Sequence, residues 1–86
     1  MKKLLLSYNI ILKEEPEGGY TVIVPSLPGC ITYGKTVEQA KKMAEDAISL
    51  YIESLKENGE NIPSDEEIFI TTLQLNIPEK KKTLYA

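Results

Sequence analysis

Histidine is absent from this 86-residue chain, cysteine occurs once, and aspartate occurs only as Asp46 and Asp65. The first absence removes the commonest general base, the usual activator of a nucleophile and the commonest metal ligand together. Cys30 is left without a partner for catalysis or for zinc, and it cannot close an intramolecular disulfide, so nothing points to an oxidising compartment. It reads as a small buried strand residue. A carboxylate cluster able to hold two metal ions would have to be assembled mainly from glutamates, and their spacing shows no convergence. Gly29 to Thr36 fits Gly-x-x-x-x-Gly-Lys-Thr letter by letter, but its β-branched and aromatic middle reads as a strand rather than a phosphate-cradling loop; Gly-x-Gly-x-x-Gly does not occur, and Gly18-Gly19 precedes a strand, again the wrong context. The expectation is a protein that is not an enzyme and takes no cofactor and no metal. Long apolar runs are missing too. Leu4, Leu5 and Leu6 follow Met1-Lys2-Lys3 as a signal peptide would begin, but the run breaks at Ser7, Tyr8 and Asn9 without a small-residue cleavage site. A cytoplasmic chain with no membrane contact is expected.

The stretch Gly19 to Thr36 concentrates turn formers beside β-branched residues, and the rest of the chain is arranged around it. Tyr20, Val22 and Val24 share one face of an extended segment, and Thr21 and Ile23 the other. Pro25, with no N–H to donate, ends that ladder. Pro28-Gly29 supplies the fixed φ and the permissive φ of a type II turn, so the chain reverses stiffly. Cys30 to Tyr33 make a second short strand, Gly34 lets the backbone turn, and Thr36 caps a helix.

Upstream, Leu4, Leu6, Tyr8, Ile10 and Leu12 alternate with polar positions in a first strand from Leu4 to Lys13. The acidic loop Glu14 to Gly19 joins it to the next strand as a hairpin. Downstream, Thr36 and Gln39 have capping-box spacing and Glu38 favours the helix start. Val37, Ala40, Ala44, Ala47, Ile48, Tyr51 and Leu55 draw one stripe along the helix, which faces the sheet. Met43, Leu50 and Ile52 lie off the stripe, as core edges or as a partner surface. Asn58-Gly59 is a left-handed cap and Pro63 prevents resumption. A last strand is expected from Glu67 to Ile77, apolar on both faces at Ile68, Phe69 and Ile70 and alternating afterwards at Leu73, Leu75 and Ile77. Such a strand is central in a sheet or covered by another subunit. The order is β-β-β-α-β, an α+β two-layer sandwich with one long helix packed on the sheet. The domain spans residues 1–77, and residues 78–86, opening with Lys80, Lys81 and Lys82, form a short mobile tail.

The formal net charge is −3, from 13 acidic and 10 basic residues. Polyanions are disfavoured as partners and a basic protein surface is favoured. Gly19-Tyr20, Val24-Pro25-Ser26-Leu27-Pro28-Gly29-Cys30, Thr32, Gly34, Thr36, Glu38, Ala40, Ala44, Glu45, Ala47, Gly59 and Ile62-Pro63 occur in the order typical of the HicB antitoxins, and the chain resembles that family over residues 1–77. One departure is that Glu38 stands a position early, with Gln39 in the usual acidic place. The resemblance implies a degenerate ribonuclease-H-like fold without catalytic carboxylates. It also implies an antitoxin that binds a small basic HicA toxin, an mRNA-cleaving ribonuclease, and occludes its active site. Family members commonly add a C-terminal ribbon-helix-helix or helix-turn-helix segment for operator DNA. A chain ending at Ala86 has no room for one, so direct DNA binding is not expected of this chain alone.

The toxin-facing surface is expected at the rigid turn and the following strand, Ser26, Leu27, Pro28, Gly29, Thr32 and Tyr33, because side chains on a proline-stiffened loop lose little entropy on binding. Two other readings stay open: Leu27 plugs the core and the turn is scaffold, with the interface on the acidic helix face of Glu45, Glu53 and Glu57. A homodimer or higher oligomer is expected through Ile68, Phe69 and Ile70, since one helix cannot cover both faces of a small sheet. The alternative function is a solitary HicB-like domain acting as an RNA-binding or degenerate nuclease module. Lys41, Lys42 and Lys56, interrupted by Glu38, Glu45, Asp46, Glu53 and Glu57, make a mixed solvated face rather than a basic one.

Overall fold

Apolar alternation and two glycine-bearing turns give a three-stranded antiparallel sheet in the order β1-β2-β3, followed by one helix. The computed structural model describes residues 5–79. Its elements are β1 (Ile11–Glu14), β2 (Tyr20–Ile23), β3 (Ile31–Gly34) and α1 (Val37–Glu57). The first strand is shorter than its alternation suggests, because Ile11 lies opposite Ile23 and pairing toward the N-terminus would soon run into Pro25. Leu6, Tyr8 and Ile10 still turn partly inward, and Tyr8 and Ile10 pack on the core. Leu4 and the lysines of the tail lie outside the described residues.

The reversal after β2 is two turns back to back. Leu27 N–H donates to the Val24 carbonyl at 3.1 Å, and Cys30 N–H to the Leu27 carbonyl at 2.9 Å, with Gly29 at φ +83° as a type II turn requires. Val24 N–H donates to the Cys30 carbonyl at 3.1 Å and closes the loop. Its interior is filled by its own side chains. Val24, Leu27 and Cys30 form one buried cluster, capped by Tyr8, Ile10, Ala47, Ile48, Tyr51 and Leu55. Val22, Ala40 and Ala44 form the other, flanked by Ile10, Leu12 and Tyr20.

Small residues set the distance between the layers. Gly34 is not a turning point: it pairs with Tyr20 inside β3, and a Cβ there would run into the Ala40 backbone. Only a strand without a side chain at that point lets α1 lie so close. Thr36 caps α1 by accepting from Gln39 N–H at 3.0 Å, and the Gln39 side chain accepts from Lys35 N–H at 2.6 Å, one residue before the usual capping-box donor. At the other end Gly59, at φ +68°, donates to the Lys56 carbonyl at 3.1 Å and Glu60 to that of Leu55 at 2.9 Å, a Schellman ending. Of the residues off the apolar stripe, Ile52 is half-buried at the core edge, whereas Met43 and Leu50 are exposed.

After the helix the chain is stitched to residues 7–9 and then released. Asp65 N–H donates to the Ser7 carbonyl at 2.7 Å, and the buried Asp65 carboxylate accepts from Asn9 N–H at 2.9 Å and from the Ser26 hydroxyl. Tyr8 donates its phenol to the Pro63 carbonyl. Burial raises that phenol above its ordinary pKa, and the neighbouring Asp65 carboxylate adds to the rise. The strand expected from Glu67 to Ile77 does not form. That stretch joins no ladder and is exposed throughout: its hydrogen bonds to residues 7–9 end at the Ile68 carbonyl, and beyond that point no layer among the described residues packs on it. The observed order is therefore β-β-β-α with an extended C-terminal arm, and the radius of gyration is 17.2 Å, against about 12 Å for a compact chain of this length.

Candidate protein-binding surface

Packing α1 on one side of the sheet leaves the other side open. The ladder registers place Ile11, Ile23 and Ile31 in one row across the three strands, and Lys13, Thr21 and Tyr33 in the next. Both rows point away from the side on which Val22 is buried against Ala40 and Ala44. Ile31 is 60% exposed and Tyr33 47%. The face is apolar at the end away from the hairpin, where the isoleucines lie, carries Lys13 in the row of Tyr33, and meets the hairpin tip with Glu15 and Glu17 at its other end, while Glu14, opposite Tyr20, has the helix-facing parity.

Tyr33 is held rather than free. Its hydroxyl donates to the Gly18 carbonyl at 3.1 Å, and its ring occupies the space that a Cβ on Gly19 would need. Gly19 also sits at φ +80°, so the tip is shaped for a residue without a side chain. Glu15 accepts from the Thr21 hydroxyl, which fixes one carboxylate over the same face. A tyrosine so locked brings contact area to a partner with little rotamer entropy left to lose.

The six residues expected at the toxin surface divide among three places. Leu27 is fully buried in the core. Ser26 is half-buried and bound to Asp65, and Thr32 shares the helix-facing side of β3 with Gly34. Pro28 and Gly29 are exposed at the turn, tied to the helix by a 2.8 Å hydrogen bond from the Tyr51 hydroxyl to the Pro28 carbonyl. Tyr33 is exposed at the opposite end of β3. Ile11, Ile23 and Ile31 were not among the expected site residues. Their signal was available, since Ile23 has the parity opposite to Val22 and a two-layer sandwich with one helix leaves one face bare.

Little else on the molecule suggests chemistry. Among the described residues there is no group of three or more Cys, Asp or Glu that could hold a metal ion. Cys30 is buried and free, and burial raises its thiol pKa, which makes it a poor nucleophile. No helix among them is long and apolar enough to cross a membrane.

A protein-family model described as the HicB-like antitoxin of bacterial toxin-antitoxin systems matches residues 8–83. The chain belongs to the HicB-like antitoxin family. A UPF0150 protein of Thermoplasma acidophilum is 46% identical over 66 residues, which cover 77% of this chain and 96% of that protein. Antitoxin HicB of Escherichia coli K12 is 36% identical over 58 residues, 67% of this chain but 42% of the antitoxin, and Antitoxin HicB 1 of Photorhabdus laumondii is 40% identical over 58 residues, 67% of this chain and 37% of its own length. The chain thus spans nearly the whole of a short relative and about two fifths of the proteins named HicB.

Proposed function

We propose that this HicB-like protein is a non-catalytic antitoxin of a type II toxin-antitoxin system. It binds a small basic HicA-type ribonuclease and inhibits it by covering the active site, with the β3 side of the open sheet face as the contact. Family membership carries the reading. The geometry supports it in a specific way: exposed Ile31 and a hydrogen-bonded Tyr33 on one face, with the glutamates of the hairpin tip beyond Tyr33 at one end, suit a partner with an apolar patch flanked by basic residues. Pro28 and Gly29 extend this contact along β3, while Leu27, Thr32 and Ser26 hold the surface from behind. The acidic end steers the encounter and the apolar residues set residence time.

The test uses a small basic HicA-type ribonuclease co-expressed with this chain. Purified together, the two form a stoichiometric complex in which mRNA cleavage by the toxin is lost. Ile31→Glu breaks the complex and restores cleavage, and Glu53→Gln on the outer helix face leaves both unchanged. RNA binding by this chain alone at physiological salt, or a complex insensitive to Ile31→Glu and sensitive to Glu53→Gln, overturns the reading.

A further inference from the structure

In an antiparallel ladder, residue pairs that exchange backbone hydrogen bonds alternate with pairs that do not. Val24 N–H donates to the Cys30 carbonyl at 3.1 Å, so that pair is of the bonded kind. Moving along the register two residues at a time, Val22 with Thr32 and Tyr20 with Gly34 are bonded as well, and Ile23 with Ile31 and Thr21 with Tyr33 are the unbonded pairs between them. The first hairpin fixes the same phase from the other side. Glu15 N–H donates to the Gly19 carbonyl at 2.9 Å, which makes Lys13 with Thr21 and Ile11 with Ile23 the bonded pairs there and turns the backbone groups of Thr21 and Ile23 away from β3. Ile31 and Tyr33 therefore direct their own N–H and carbonyl groups outward, along an edge that no strand among the described residues takes.

That edge is left ready for pairing. Neither residue's N–H or carbonyl has a partner among the described residues. The next outward position is Lys35, whose N–H is already held by the Gln39 side chain at 2.6 Å, so the open ladder runs from Ile31 to Tyr33. Sheet edges are usually blunted by a charge, a proline or a bulge. The sequence of β3, Ile-Thr-Tyr-Gly, carries no charge and no proline, and its register with β2 is unbroken. The opposite edge is different. The outward positions of β1 are Leu12 and the charged Glu14, and the segment around Asp65 lies against residues 7–9 that lead into it.

The residues that offer backbone groups at β3 also offer exposed side chains on the open face. A strand laid along this edge places alternate side chains directly beside Ile31 and Tyr33, where apolar β-branched or aromatic residues pair best. Past Tyr33 it meets the hairpin tip, with Glu17 and with Glu15 held in place by the Thr21 hydroxyl. We propose, on the reading of β3 as the toxin contact, that the antitoxin takes up an extended segment of the toxin as a further strand of its sheet, apolar opposite Ile31 and Tyr33 and basic where it passes the hairpin tip. Running antiparallel, that segment exchanges both hydrogen bonds with Ile31 and both with Tyr33. Main-chain bonding then supplies affinity, and the two side chains with the acidic tip fix the register.

Residue-resolved amide exchange, on the chain alone and in complex with a small basic HicA-type ribonuclease, tests this. In the free chain the Ile31 and Tyr33 amides exchange near the unprotected rate although they lie in a strand, while those of Thr32 and Gly34, bonded to β2, are protected. In the complex Ile31 and Tyr33 slow to the rate of Thr32, and scalar couplings across hydrogen bonds join them to toxin carbonyls. A chain ligated between Gly29 and Cys30, with an N-methyl group on the Ile31 nitrogen, keeps every native side chain and the β2–β3 ladder. Its circular dichroism is unchanged, and it binds at least about tenfold more weakly, as the loss of one hydrogen bond requires. A complex that blocks cleavage while both amides exchange as in the free chain overturns strand addition and leaves the antitoxin role standing, as does an N-methylated chain that binds as tightly as the native one. Protection of both amides in the free chain means that this protein already occupies its own edge, and overturns the proposal too. With no complex at all, the role and the strand addition fall together.

Discussion

The loop from Val24 to Cys30, with Pro25 and Pro28 inside it, and the arm from Ile68 to Ile77, ending before Pro78, are both largely apolar and uncharged in sequence, yet the structure treats them oppositely. The loop is fixed by three backbone hydrogen bonds, by the Tyr51 hydroxyl, by Asp65 through Ser26, and by burial of Val24, Leu27 and Cys30. Beyond Ile68 the arm stands exposed. An apolar alternation says that a segment will be covered; it does not say by which chain. The loop has the helix's second half beneath it, with Ala47, Ile48, Tyr51 and Leu55 in place, and the arm has no such layer in its own chain.

The largest effect that separates the two regions is at Leu27. Leu27→Ala removes a fully buried side chain between the loop and the helix, and a loss of about 2–5 kcal/mol is expected. For a domain of this size that lowers the melting midpoint by about 10 °C or more. Because Leu27 is internal to one chain, the stability difference is the same at every protein concentration. Phe69→Ala, by contrast, removes a side chain that is 95% exposed in the single chain and is expected to leave its midpoint unchanged at every concentration at which the chain is alone. Thermal melts of both variants over a hundredfold dilution series check the contrast, and a concentration-dependent Leu27 loss would break it.

Asp65 joins the two regions. Its carboxylate holds Asn9 and Ser26, and its N–H holds Ser7, so it anchors the base of the arm to the loop. Asp65→Ala leaves the Asn9 N–H and the Ser26 hydroxyl without their acceptor, at as much as about 3 kcal/mol. The helix stays intact, and the bond after Pro63 becomes open to proteolysis. Limited digestion followed by mass spectrometry reads this directly. Cleavage no faster than in the native chain would show that Tyr8, Ser7 and Ser64 suffice to hold the segment.

How far this was legible in the sequence follows from the same contrast. Val22, Val24 and the helix stripe could be placed because each element's partner is its neighbour in sequence, and Thr36, Gln39 and Gly59 end the helix by bonds within a few residues. Gly34 was misread as a turn because closeness to Ala40, six residues on in a different layer, leaves no local signature. The role of Asp65 had no signal in the sequence for a similar reason, its partners being 56 and 39 positions away. Whether Leu27 is a surface anchor or a core plug stayed open because a proline-stiffened loop looks the same whether Leu27 points out or in. Only the packing decides that it points in.

The binding surface gives the next prediction. Tyr33 is fixed by Gly18 and Gly19 and exposed on the open face, whereas Leu27, on the same turn-and-strand unit, is buried. Tyr33→Ala weakens toxin binding by an anchor-sized amount of about 2 kcal/mol with the melting midpoint little changed. Leu27→Ala lowers the midpoint while affinity per folded molecule is kept. Calorimetric titration corrected for the folded fraction separates them, and the reverse pattern would return the anchor to Leu27.

The smallest effect concerns the two regions' thiols, native in one and introduced in the other. Cys30 is buried in the loop, and burial raises its pKa above the ordinary 9.0. The unfolded chain therefore loses this proton at a lower pH than the folded chain does. The stabilisation is complete below the unfolded pKa and is lost as pH rises toward the folded one, with a slope of at most about 1.4 kcal/mol per pH unit for one proton. Tyr8 acts in the same sense at higher pH, since its raised pKa starts from 10.0. Cys30→Ala accordingly flattens the stability curve only in its lower alkaline part. A disulfide reagent at pH 8 reports the same difference as a rate: Cys30 reacts no faster than the chain unfolds, while a thiol introduced by Thr71→Cys on the exposed arm reacts at once. Reaction of Cys30 as fast as that of Thr71→Cys would show that the loop opens without unfolding of the chain.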